Sequence, residues 1–128
     1  TDPYQKIDCL EAALAQDILD NRFIPYIQLH EFEALILADA QKLDWEYLEH
    51  ERAIANLVAM VGDTCPELIN DGAETAPSKR ILKQIPEYDK VTAGWTVAEQ
   101  IGLATLRQKC PHFNEWLTRL EQLGATGE

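Results

Sequence analysis

The chain has 128 residues, 46% of them hydrophobic, and a formal net charge of −11. That length suits one domain or part of one with a real core, and no apolar run approaches membrane-spanning length, so no membrane partner is expected. The acidity is uneven: residues 1–78 hold 16 acidic and 4 basic side chains, and residues 79–128 hold 6 and 7. The first part repels a polyanion, and the total argues against a free-standing nucleic-acid binder. Cys9, Cys65 and Cys110 lie far apart, with neither a CxxC pair nor a histidine-bearing zinc spacing. An odd number of thiols without a secretory signal points to reduced cysteines in a cytoplasm.

Asp2 as N-cap, Pro3 at the first helical position and Gln5 at the third open a helix over 3–19, which Ile7, Leu10, Leu14 and Ile18 carry forward. Asp20-Asn21-Arg22 is a turn. Phe23, Ile24, Tyr26, Ile27 and Leu29 form a short run of strand formers, which predicts a strand over 23–29. Pro25 confines its pairing to an edge or an interruption. From His30 the period turns helical, and Leu29, Phe32, Leu35 and Ile36 share one arc of a helix over 30–39. One strand is not a sheet, so either more strands lie elsewhere in the chain or the rest of the sheet lies outside it.

No second convincing strand follows, and the remainder to residue 123 reads as helical. Asp44 caps one helix or two short ones that end at Gly62; residues 66–69 make a single turn, and Asn70-Asp71-Gly72 is a turn signal too lightly liganded for a calcium loop. A helix from 76 to 84 stops before Pro86, and 87–94 is a polar loop. Two short helices, 95–101 and 103–109, flank Gly102. Pro111 opens the last helix, with Phe113, Trp116, Leu117, Leu120 and Leu123 on its core face and a disordered tail over 124–128. Trp45, Trp95 and Trp116 are expected in the core.

Three stretches carry a family resemblance: PYIQLHEFEALILAD, PELINDGAETAPSKRI and KCPHFNEWLTRLE, together spanning about three quarters of the chain. They resemble the C-terminal part of a bacterial family, domain of unknown function 4276. The resemblance implies an α/β, mainly helical chain: the C-terminal portion of a TOPRIM-like domain, a metal-binding module of topoisomerases and nucleases. It also implies a phage-defence or restriction-type setting, sometimes beside an ATPase. The family's N-terminal stretch, with its Glu-Gly-x-Thr-Glu strand end, has no counterpart here, which accounts for the lone strand. Nucleic acid is then a partner only with that upstream part restored. Cys65 stands where relatives often have Asn, and Ala73 where they often have Pro.

Three places can carry chemistry. Glu33 falls on the apolar arc, where a carboxylate needs a partner, a proton or a metal, and His30 and Glu31 adjoin it at a strand end. In one reading Glu33 with Glu31 holds Mg²⁺ for phosphodiester cleavage, with His30 close by; in the other Glu33 pairs with an arginine or caps backbone amides. Thr75, Ser78, Lys79 and Arg80 at a helix start make either a phosphate cradle or a capped, solvated terminus; the glycines of a P-loop are absent. His112 and Glu115, three apart, either bind a metal or hold each other, and Cys110 reads as a buried small residue. Two functional classes follow: a metal-dependent nuclease-type component, or a non-catalytic segment that completes a sheet and docks on an ATPase or on a second copy as a homodimer.

Overall fold

The computed structural model describes residues 2–70 and 72–126, with side chains through residue 123. Helix α1 (Pro3–Ile18) starts as the capping pattern requires, with the Asp2 carboxylate accepting from the Tyr4 amide at 3.0 Å. It ends one residue short of the expected 19, because Leu19 turns left-handed at φ 51°. Helix α2 (Glu33–Ile36) runs into a 3₁₀ segment (Leu37–Trp45) kinked at Asp39, whose φ of −153° is not helical. Helices α3 (Glu51–Val61), α4 (Pro77–Gln84), α5 (Trp95–Ile101), α6 (Leu103–Lys109) and α7 (Pro111–Thr126) follow. A 3₁₀ turn at Pro66–Leu68 and a π-helical turn at Lys90–Gly94 join them.

The core is apolar and central. Ile36, Leu37, Leu43, Ile54, Leu57, Ile81, Ile85 and Val97 are essentially inaccessible to solvent. The 3₁₀ segment lies between α3 and α5, and α4 packs on α3 and α2. The proline starts and glycine stops fall where expected: Pro77 and Pro111 open α4 and α7, and Gly62 closes α3 at φ 50°.

The mainly helical character holds, but the strand over 23–29 is not found: no strand or bridge occurs among the described residues. A strand needs a neighbour to complete its ladder, and here the amide of Ile27 turns to the Glu11 carboxylate at 2.8 Å instead. The helix expected over 30–39 starts late, because His30 sits at φ 65° and breaks the backbone before it. The polar loop at 87–94 contains the π-helical turn. Trp45 and Trp95 are 59% and 63% exposed, so periodicity misplaced them, and only Trp116 is half-buried. Of the expected tail, α7 continues through Thr126, and residues 127–128 lie outside the described residues, as does Asp71 of the turn signal.

Candidate functional site

Two polar clusters are built from residues far apart in sequence. The first joins the start of α2 to the start of α4. Glu31 Oε1 accepts from the Ser78 amide at 2.6 Å and Oε2 from the Ser78 hydroxyl at 2.8 Å. That carboxylate therefore fills the position at the α4 start that a phosphate would take. Thr75 donates its hydroxyl to the Gly72 carbonyl, Arg80 Nε donates to the Thr75 carbonyl, and Lys79 is exposed. His30 Nδ1 lies 3.3 Å from the Asn70 side-chain nitrogen, while its Nε2 is buried with no hydrogen-bond partner among the described residues.

Glu33 is buried as its place on the apolar arc foretold, and Tyr88 donates its hydroxyl to it at 3.0 Å. Burial, then the neighbouring Glu33 carboxylate, hold the Tyr88 hydroxyl well above its usual pKa, so it stays a donor. The structure thus brings Glu31 to Ser78 and Glu33 to Tyr88. Among the described residues, His30, Glu31 and Glu33 do not converge as a set of three metal ligands.

The second cluster ties α1 to the 3₁₀ turn at Pro66–Leu68 and the first turn of α7. Glu67, fully buried, accepts from the amides of His112 (2.9 Å) and Phe113 (3.0 Å) and from the Tyr4 hydroxyl (2.9 Å). It caps α7 from a distance of 45 residues and neutralises the partial positive charge of that helix start. Glu11 Oε2 meets His112 Nε2 at 2.8 Å, with both side chains 5% exposed. Tyr26 stacks on His112 and Trp116, with ring centroids 5.3 and 4.6 Å apart. The expected His112–Glu115 contact does not form; Glu115 pairs with Arg119 at 3.1 Å.

This region has a negative field. Burial, with hydrogen bonds to Cys65 and Glu67, raises the Tyr4 hydroxyl; burial, with Glu67, Cys110 and Glu11 nearby, raises that of Tyr26. Burial, followed by Glu67 and Cys65, pushes the Cys110 thiol up to about 12, which fits its expected role as an inert buried residue. Sequence reasoning passed over Tyr4, Glu11 and Glu67. Glu11 was findable, since it lies four residues after Ile7 and three before Leu14 on the apolar side of α1. Glu67 sits in a three-residue turn with no period to betray it.

The family model described as a domain of unknown function (DUF4276) matches residues 1–121. The chain belongs to that family. No curated protein and no solved structure matches it. Both clusters lie inside the part matched by DUF4276, and no helix among the described residues is long and apolar enough to cross a membrane.

Proposed function

We propose that this DUF4276 chain is a docking segment, whose outer layer of α1 and residues 23–29 is completed by a partner protein. The observation that carries the reading is a run of unpaired backbone amides. The amide of Phe23 is taken by the Asp20 carbonyl in a turn and that of Ile27 by Glu11, while those of Ile24, Tyr26, Gln28 and Leu29 meet no acceptor among the described residues. An extended segment with unpaired amides is an edge to which a strand can be added. Beside it α1 leaves Leu10, Leu14 and Ile18 46%, 40% and 47% exposed, an apolar stripe without cover. In the TOPRIM-like frame that the resemblance implies, the remaining sheet would lie along this edge.

The charge selects the occupant. With 16 acidic and 4 basic side chains in residues 1–78, two copies facing each other here repel, whereas a strand with a basic rim is attracted. The ATPase partner that the resemblance implies is the candidate to test. Co-expression followed by hydrogen exchange is expected to protect Ile24, Tyr26 and Gln28 in the complex, and Leu14→Glu to weaken the complex. A complex that leaves those three amides exchanging as in the free chain overturns the reading; concentration-dependent self-association that protects them reassigns the surface to a homodimer.

A second reading, a Mg²⁺-dependent nuclease-type component of a phage-defence or restriction-type system, draws on His30. A left-handed non-glycine residue with a buried ring nitrogen that meets no partner among the described residues is the kind of strain found at reactive sites. Loss of Mg²⁺-dependent DNA cleavage in His30→Ala, measured with the upstream family segment supplied, supports it; no cleavage by the parent protein removes it.

A further inference from the structure

We infer that Asp8, Glu11 and His112 form a zinc site that pins α1 to the start of α7. The three offer one imidazole nitrogen and two carboxylate oxygens, all within 4.8 Å of one another. Asp8 and Glu11, three apart on α1, rise from one face of the helix. His112 comes from 101 residues beyond Glu11, in the first turn of α7. A mixed set of imidazole and carboxylates selects zinc over magnesium, which takes oxygen ligands. Three protein ligands leave a fourth, tetrahedral position for water.

The charge balance separates this place from an ordinary buried ion pair. The contacts of Glu11 to the Ile27 amide and to His112 Nε2 both use Oε2. The region also holds a surplus of negative charge. Asp8, Glu11 and Glu67 surround one histidine, and none of the three is ion-paired with a lysine or arginine among the described residues. Glu67 is compensated by amides and the Tyr4 hydroxyl, so the pair Asp8 and Glu11 is what a divalent cation would neutralise.

The fit requires little movement. Donors about 2.0–2.2 Å from zinc lie roughly 3.3 Å from one another in a tetrahedron. Glu11 Oε2 and His112 Nε2 are already 2.8 Å apart, and a metal between them takes the place of the proton in that contact, which moves to Nδ1 or, from an imidazolium, to solvent. Tyr26, stacked on the imidazole, holds the ring plane. Asp8 is exposed, so its side chain is free to swing in as the third ligand. The sequence concealed the site because its ligands are split between the two ends of the chain.

Zinc titrated by calorimetry into the whole reduced chain tests the assignment, with Cys9→Ser as the control for adventitious thiol binding. One zinc per chain, a rise in Tm with zinc, and visible cobalt bands of nitrogen–oxygen coordination without sulfur charge transfer are expected. Asp8→Asn should weaken binding by about tenfold or more while leaving the metal-free Tm unchanged, and His112→Gln should abolish it. Should His112→Gln fail to fold, Asp8→Asn decides alone, since Asp8 is exposed. Absence of zinc binding, binding indifferent to Asp8→Asn, or binding lost in Cys9→Ser overturns the inference.

Discussion

The middle of the chain and its outer layer close themselves by opposite means. From α2 to α6 the helices seal Ile36, Leu43, Ile54, Leu57, Ile81 and Val97 into an apolar core. The layer of α1, residues 23–29 and α7 is held by carboxylates instead: Glu67 on the α7 amides and Tyr4, and Glu11 on His112 and the Ile27 amide. Its apolar residues Leu10, Leu14 and Ile18 point outward. Helix α1 buries a glutamate and exposes two leucines. The difference teaches that the first region is held by apolar packing, and the second is fixed in orientation by polar anchors while part of its apolar surface faces outward.

The largest expected effects compare the two kinds of closure. Leu57→Ala in the core should cost about 3 kcal/mol of unfolding free energy, read by denaturant titration. Glu67→Ala in the outer layer should cost about 2 kcal/mol, because it strands two helix-start amides and a tyrosine hydroxyl away from water. A Glu67→Ala variant as stable as the parent would show that its contacts hold nothing together.

Leu14→Glu sharpens the contrast from the other side. In the isolated chain it should change stability by less than about 0.5 kcal/mol, as expected at an exposed site. A loss comparable to that of Leu57→Ala would mean that the stripe is already covered in the free chain. The same substitution should be felt only in the complex.

The smallest effect concerns a surface contact of the middle region. The Leu48 carbonyl, then the Glu87 carboxylate at 3.0 Å, raise the His50 pKa. A raised value favours the protonated form in the fold, so this contribution is present below the ordinary histidine range and lost as pH rises through the raised midpoint. Imidazole resonances should show His50 titrating above about 6.5, and Glu87→Gln should lower its midpoint. A midpoint at or below the ordinary value would show that the contact does not persist in solution.

By itself, the sequence determined the helices with marked ends: Asp2-Pro3 for α1, Pro77 and Pro111 for α4 and α7, and Gly62 and Gly102 as stops, each a local constraint on backbone angles or amides. It also determined that Glu33 would be buried, since its position on an apolar arc needs no knowledge of the partner. Tertiary structure alone decided what each carboxylate meets. Glu31 reaches Ser78, Glu33 reaches Tyr88, Glu67 reaches α7 and Glu11 reaches His112, across 47, 55, 45 and 101 residues. It also decided that residues 23–29 would not pair as a strand. A helix is closed by hydrogen bonds within its own segment and can be read there, whereas a ladder or a buried carboxylate is completed by groups that only the folded chain, or a partner, brings near.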